Sequence, residues 1–445
     1  MRTTRFYQGR WVFESMEPVI QVALDLVLGD RAMQIADEAV IGGAEWIEAG
    51  TPLIKSEGVE IIRKLKKAFP RNTIVADMKT IDVGGAEVEM AAKAGADVVV
   101  VLGLSSDPTI TEAVLSARQY GAKVMVDLFN VKDKAARAKR AEEMGASYVC
   151  VHVGVDEQMV GGSPLAELKG VAEAVGIPVA AAGGINSESA PDVLAAGASI
   201  VIVGGAIIKA RDVTAATAAV KTALTERRAV HTELFKKYSA DGLREAFSKV
   251  SSPNVTDAQH KMGAMKGIVA RTGRNVKMVG RALTVQTVNG DWAKPVEAID
   301  RASEGDVIVV DACGGEIAVW GELASWSCKT KGVAGVVIDG AARDIDAIID
   351  MGFPCFSRYT ASNAGEPKGY GGIGHEVVCG GVTVRTGDWV IGDESGVVVV
   401  PQEHALEVAN RAVDVMEREN RVREEIQRGG TLSSVMKLEK WEKVG

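Results

Sequence analysis

Cysteine and histidine are both scarce, at five residues each in 445. The cysteines Cys150, Cys313, Cys328, Cys355 and Cys379 are odd in number and none stands at CxxC spacing to another. That speaks against a disulfide framework and a cysteine zinc site and fits a reducing cytoplasm. His231, His260, His375 and His404 form no ligand spacing. No apolar run reaches the roughly 20 residues of a membrane span. Met1–Pro18 mixes Arg2, Arg5, Arg10, Glu14 and Glu17 among its apolar residues, so it has no signal-peptide core. Positive charge is in deficit, with 51 Lys and Arg against 59 Asp and Glu. This argues against nucleic acid as a main partner, because phosphate backbones need concentrated basic residues.

What is present is ordinary globular composition, 47% apolar and 25% charged. The length calls for two or three domains. In the first half, short β-rich runs recur at Val19–Val27, Trp46–Pro52, Thr73–Lys79, Asp97–Leu104, Lys123–Phe129, Tyr148–Gly154, Ile177–Gly183 and Ile200–Gly205. Their starts lie 23 to 29 residues apart, room for one strand, one helix and two short loops. Most are continuous apolar runs, as in a parallel sheet covered by helices. Gly-Ala precedes strand after strand, at Gly43, Gly95, Gly121, Gly145 and Gly197. Glycine is favoured just past a helix end, so these helices are expected to stop alike. Eight such units predict a closed (β/α)8 barrel. A doubly wound open sheet is the alternative, but no GxGxxG follows the first strand.

In a (β/α)8 barrel the active site lies at the C-terminal strand ends. The sequence places Asp25 there on strand 1, Glu48 on strand 2, Asp77, Lys79 and Asp82 on strand 3, Asp127 on strand 5, and His152 with Asp156 at strand 6. One buried acid could be a hydrogen-bonded core residue; acids repeated at one end of five strands point to chemistry. Period-two alternation puts Asp77 and Lys79 on one face, and Lys79 is expected to keep its charge between Asp77 and Asp82. Its ammonium could stabilise a developing oxyanion. Glu48 and Asp77 could share one hard cation, Mg²⁺ or Mn²⁺, with substrate oxygens and water. Strands 7 and 8 end in Gly183-Gly184 and Gly204-Gly205, where backbone N–H groups can approach a phosphate.

These segments are familiar in combination: Leu24-Asp25-Leu26, EAGTPLIKSEG (Glu48–Gly58), ADMKTID (Ala76–Asp82), HVGVDEQ (His152–Gln158) and AAGGI (Ala181–Ile185). Residues 17–225 resemble the 3-hexulose-6-phosphate synthases of the orotidine-monophosphate decarboxylase superfamily. The ketogulonate-phosphate decarboxylases are the alternative, but they carry an arginine where Val155 stands. The resemblance implies aldol addition or cleavage of formaldehyde with ribulose 5-phosphate through a metal-stabilised enediolate. His152 would be the base, since its pKa lies near neutrality. Mg²⁺ and Lys79 would hold the enediolate, and Asp25 would fix substrate hydroxyls and Lys79. Asp82 would serve a neighbouring subunit, as in related dimeric barrels, and Asp127 and Asp156 would contact the substrate.

After strand 8 the pattern changes. Thr214–Tyr238 reads as a helix that closes the barrel and continues as a charged connector, with residues 226–240 linking the halves. Strands follow at Gly280–Val288, Asp306–Asp311, Val333–Ile338 and Phe353–Ser357, then Gly381–Arg385, Trp389–Ile391 and Gly396–Val400, the last three joined by tight turns as in hairpins. Gln402–Arg428 reads as an amphipathic helix. This is a mixed α/β domain over residues 241–430, flanked by a 1–16 extension and a 431–445 tail.

NVTDA (Asn254–Ala258), GRALTVQT (Gly280–Thr287), GDVIVVDACGG (Gly305–Gly315), GELA (Gly321–Ala324), GVVIDGAARD (Gly335–Asp344) and GDESGVVVVP (Gly392–Pro401) resemble the family of the ribonuclease E activity regulators and the 4-hydroxy-4-methyl-2-oxoglutarate aldolases. That resemblance implies a divalent cation on Asp344, helped by Glu322 through water. Arg343 and the amides of Gly321, Glu322, Leu323 and Ala324 would hold a 2-oxoacid enolate. Where the family has a second acid, this chain has Ala347, and Asp346 is one position off, which leaves a non-catalytic protein-binding module as the rival. Dimeric barrels and trimeric C-terminal domains together predict a homo-oligomer, a hexamer of D3 symmetry.

Overall fold

The computed structural model describes residues 17–438 and, in backbone only, the strands β1 (Thr4–Tyr7) and β2 (Arg10–Phe13), which pair antiparallel. The remaining residues of the expected 1–16 extension, and residues 439–445 of the tail, lie outside the described set. The described chain divides into two compact units. One takes the residues up to Lys237 together with those from Glu417 on; the other is Tyr238–Met416.

The first unit is a closed barrel of eight parallel strands: β3 (Val19–Leu24), β4 (Trp46–Ala49), β5 (Thr73–Thr80), β6 (Val98–Leu102), β7 (Lys123–Asp127), β8 (Tyr148–His152), β9 (Val179–Ala182) and β10 (Ile200–Val203). They pair in chain order, and β10 closes on β3. All eight expected strands are present, and the open-sheet alternative is excluded. The five Gly-Ala glycines all have positive φ, from 73° to 109°, as helix-ending residues do. Alternate strand residues form two layers. Ile20, Val22, Ile47, Ile74, Val99 and Val126 face the surrounding helices, whereas Ala23, Trp46, Val75, Val100, Met125 and Cys150 fill the interior. Trp46 and Tyr148 meet edge to face, 5.3 Å between ring centres.

Two expectations need correction here. The helix that closes the barrel is Val213–Glu226, not a longer rod, so the connector is not helical. Arg227 takes a left-handed conformation and its N–H donates to the Ala223 carbonyl, which ends the helix. The next residues, Arg228 to Glu233, are largely polar and offer no apolar stripe to continue it. The second correction concerns the terminal helix Ala405–Gln427, whose last residues belong to the barrel unit rather than to the C-terminal domain. There Arg421 is fully buried. Its guanidinium meets Glu425 at 2.9 Å and the carbonyls of Ala210 and Arg211 at 3.1 and 3.2 Å.

The second unit has strands β11 (Val269–Ala270), β12 (Met278–Gln286), β13 (Val307–Asp311), β14 (Ala318–Trp320), β15 (Gly335–Ala342), β16 (Cys355–Thr360), β17 (Gly372–Ile373), β18 (Val377–Cys379), β19 (Val382–Val384), β20 (Trp389–Asp393) and β21 (Gly396–Val400). Parallel pairing links β12, β13, β15 and β16. β20 joins β12 antiparallel and forms a hairpin with β21. The expected hairpin through Thr386-Gly387-Asp388 does not form. β19 pairs with β18 instead, through Gly380-Gly381, both at positive φ. That is the backbone of a two-residue hairpin turn, so Gly381, the expected strand start, is instead the second residue of the turn.

Candidate functional site

The inward-facing residues of the barrel turn polar at one level. Two positions beyond Ala23, Trp46, Val75, Met125 and Cys150 stand Asp25, Glu48, Asp77, Asp127 and His152. The period of two that builds the hydrophobic interior therefore delivers the charged cluster to the C-terminal mouth. Glu48, Asp77 and Asp127 are buried; Asp25 is crowded by protein although water still reaches its carboxylate. Room for that carboxylate depends on Gly50, where a Cβ would lie 2.3 Å from Asp25 Oδ1.

Lys79 ties the cluster together. Its Nζ lies 2.9 and 2.8 Å from the two Asp77 carboxylate oxygens and 3.0 Å from Asp127 Oδ2. This ordering is not that of a regular strand. Lys79 has φ of 48°, and the pairing of β5 with β6 slips between Ala76 and Thr80. A left-handed lysine at a bulge is costly backbone, of a kind that concentrates at functional sites. The expected partnership with Asp82 is corrected: Asp127 takes that place, and Asp82 is exposed with Oδ1 accepting from the N–H of Val83. Asp156 stands exposed on the short helix Val155–Met159.

Asp127 also accepts from His152, whose Nδ1 is 2.8 Å from Oδ2, and from the N–H of Phe129 at 3.0 Å. Burial would raise the Asp127 pKa, but His152 and Lys79 outweigh it and hold the carboxyl down at about 2. Burial likewise pushes His152 downward, but the charge and hydrogen bond of Asp127 prevail, so its pKa stands above the ordinary histidine value of about 6.5. Lys79 is driven well upward by Asp77 and Asp127 despite burial and is charged at any working pH. Glu48 goes the other way: burial, then Asp77 and Asp25, raise it well above the usual carboxylate range. Asp25 is raised by desolvation and by Asp77. The site thus holds a hydrogen-bonded Lys–Asp–His set beside two carboxyls that resist ionisation.

Sequence reasoning missed three members. Gln21 is fully buried and its amide donates to Glu48 Oε2 at 2.5 Å. It is in phase with Ala23 and Asp25, a signal that period-two counting could have used. The hydroxyl of Thr51 lies 2.9 Å from Asp77 Oδ2 and 2.8 Å from the Asp77 carbonyl oxygen. The Phe129 ring packs 5.5 Å from that of His152. At the ends of β9 and β10, Gly183 and Gly184 have φ of 117° and 67°, and Gly204 precedes the short helix Gly205–Ile208. A Cβ on Gly183 would lie 2.6 Å from the Val153 carbonyl oxygen, so the turn can close only with glycine.

The carboxylates can be tested against the expected cation. Crowded acids that resist ionisation, and the buried Gln21 Oε1 that has no hydrogen-bond partner, suit a hard divalent ion. Among the described residues no three acidic, histidine or cysteine groups form a ready metal cage. An ion held by Glu48 and Asp77 would therefore complete its shell with other oxygens, such as Gln21 Oε1 and those of substrate and water.

In the second unit, Gly321, Glu322, Leu323, Ala324, Arg343 and Asp344 are brought to one place. Asp344 Oδ2 accepts from the N–H of Glu322 at 3.2 Å and lies 3.4 Å from Arg343 Nε. It thereby caps the helix Glu322–Lys331, for which Gly321 leaves the space: a Cβ there would lie 2.6 Å from Asp344 Oδ2. Asp344 itself is left-handed, with φ of 58°. Leu323 is exposed.

Comparison with known proteins agrees with this division. Residues 18–220 match the family model of orotidine 5'-phosphate decarboxylase and the HUMPS family, and residues 252–399 match the RraA-like model, described as Aldolase/RraA. The chain is 42% identical over 205 residues to 3-hexulose-6-phosphate synthase of Mycobacterium gastri, covering 99% of that protein and 46% of this one. It is 40% identical over 194 residues to 3-hexulose-6-phosphate synthase of Bacillus subtilis, covering 92% of that protein and 43% of this one. A crystal structure of 3-hexulose-6-phosphate synthase is 41% identical and has a TM-score of 0.45; the match covers 99% of that chain and 46% of this one. No described helix is long and apolar enough to cross a membrane.

Proposed function

Through its barrel this chain belongs to the 3-hexulose-6-phosphate synthases of the orotidine 5'-phosphate decarboxylase and HUMPS family, with an RraA-like domain behind it, and on that premise we propose that the barrel is an aldehyde-lyase joining formaldehyde reversibly to C1 of ribulose 5-phosphate. The observation that carries the reading is the bonded set Asp77–Lys79–Asp127–His152 at the mouth of the barrel.

His152, oriented through Nδ1 by Asp127, presents its other ring nitrogen to the C1 proton of the sugar. As that proton leaves, the C1–H electron pair forms the C1–C2 double bond and charge gathers on the C2 oxygen. The Lys79 ammonium, preset by Asp77 and Asp127, offsets that charge without reorganising. The C1–C2 π pair then forms the new bond to formaldehyde carbon as the C2 carbonyl is restored, and the imidazolium gives its proton to the oxygen that formaldehyde brought in. Asp25 orients substrate hydroxyls, and the turns at Gly183-Gly184 and Gly204-Gly205 receive the phosphate through backbone N–H groups. Glu48 and Asp77 would hold Mg²⁺ or Mn²⁺, which when bound supplies Lewis-acid polarisation of substrate oxygens. The test is direct: ribulose 5-phosphate should disappear only when formaldehyde is present. Formaldehyde-independent release of CO₂ from 3-keto-gulonate 6-phosphate, with no aldol activity, would replace this reading by the decarboxylase.

For the RraA-like unit, the capping contact of Asp344 supports a binding module without chemistry. The nearness of both Arg343 and the Glu322 amide to Asp344 supports, as second reading, a metal-dependent 2-oxoacid aldolase. Mg²⁺ or Mn²⁺ titration of the full chain and of Asp344→Ala separates them: one stoichiometric site lost in the variant, together with pyruvate-releasing activity, belongs only to the aldolase.

A further inference from the structure

The segment between Glu226 and Lys237 does more than join two halves. It folds back on the barrel unit. The N–H of Val230 donates to the Ser187 carbonyl at 3.1 Å, and the Ser187 hydroxyl donates to the Val230 carbonyl at 2.7 Å. These bonds fasten it to the loop that follows Gly184. Phe235 then takes a left-handed φ of 53° and buries its ring to 8% exposure. The ring lies on Gly205, where a Cβ would stand 2.2 Å from it. Its N–H donates to the buried Glu417 carboxylate at 2.6 Å. A large residue held in a strained conformation at a buried point is positioned by all that surrounds it.

Two residues on, the Lys237 ammonium lies 4.3 Å from the centre of the Phe235 ring and 3.6 Å from Met159 Sδ. Met159 ends the helix Val155–Met159, whose Gln158 faces Gly184: a Cβ there would be 3.5 Å from Gln158 Oε1. One contact of Lys237 therefore stands over Gly205, and the other belongs to the short helix whose Gln158 lies beside Gly184. Lys209 brings a second ammonium to 4.9 Å from the same ring. Backbone N–H groups offer a phosphate only partial charges; a lysine adds a full one.

We propose that Lys237 binds the phosphate of the sugar-phosphate substrate, so that a residue beyond the family-matched span of 18–220 completes the barrel's site. The inference rests on the reading that the glycine turns receive a phosphate. Lys237 is a binding residue, not a catalytic one, and its loss should fall on affinity rather than on turnover.

The test uses the full chain with Lys237→Ala, Lys237→Met and Lys237→Arg. Calorimetry with inorganic phosphate as probe gives a Kd that needs no turnover, and steady-state kinetics with ribulose 5-phosphate and formaldehyde give KM and kcat. The Ala and Met variants should weaken phosphate binding and raise KM by about tenfold, with kcat within about twofold of wild type, and Arg should recover most of the loss. Methionine keeps the packing against Phe235 and Met159. Wild-type affinity in Lys237→Met would therefore show that the side chain only packs, and would overturn the proposal. So would failure of the wild-type protein to bind phosphate. Phosphate binding that weakens in both variants, in a protein that does not turn over ribulose 5-phosphate, would uphold Lys237 and reject the reaction instead.

Discussion

Removing the Lys79 ammonium leaves Asp77 and Asp127 facing each other's charge and would leave the proposed enediolate without its cation. Lys79→Ala and Asp77→Asn should each lower kcat by about 100-fold or more, with circular dichroism unchanged; wild-type turnover in either variant would reject the mechanism. The base is a separate matter. His152 accepts a proton only when neutral, and its pKa is raised, so kcat/KM should climb with pH through a limb above the ordinary value of about 6.5. Asp127, Lys79, Asp77 and Asp25 face it, and Asp127 supplies the upward push. In Asp127→Asn that push is lost while burial still depresses the imidazole, so the limb should move to lower pH. A limb that stays put in the variant would assign the titration to another group. Glu48 and Asp77 motivate a third expectation: EDTA should abolish turnover and Mg²⁺ or Mn²⁺ restore it. Full activity of chelator-treated protein would leave these carboxylates a purely electrostatic role.

At the scale of elements, the end of the helix Ala405–Gln427 is part of the barrel unit, and Arg421 is what fastens it. Its guanidinium is fully buried among Glu425, Ala210 and Arg211, with Glu38 3.8 Å away, and Arg31 meets the same Glu425 at 2.9 Å. Breaking one partner of a buried pair is expensive because the other charge stays buried. Arg421→Ala should destabilise the barrel by about 3 kcal/mol, read as an earlier loss of lyase activity on urea titration. An unchanged midpoint would mean that the helix end can detach without cost.

For the whole molecule, the proposed assembly is a hexamer that satisfies a twofold at the barrel and a threefold at the RraA-like unit. The helical connector expected between them does not form, since the helix ends at Glu226. A hexamer would thus depend on the interfaces alone. Light scattering at micromolar concentration should give six times the chain mass of 46.8 kDa; a clean dimer or monomer would exclude that symmetry.

The architecture was legible because its signals are local and repeated. Eight apolar runs, the Gly-Ala stops and the alternation along each strand need only neighbouring residues to be read, and every predicted barrel strand formed. The acids at the strand ends were legible for the same reason: a barrel with fixed alternation turns sequence phase into location. The sequence by itself therefore determined the (β/α)8 unit, the mixed α/β unit and which strand ends carry charge. It could not determine which charges pair. Whether Lys79 turns to Asp82 or to Asp127 depends on a left-handed bulge in β5 and on a strand 48 residues away, and burial then decides which carboxyls stay ionised. The buried Arg421, the hairpin at Gly380-Gly381 and the return of Phe235 and Lys237 onto the barrel were likewise decided only in three dimensions, because each depends on partners remote in sequence whose closeness the folded chain alone creates.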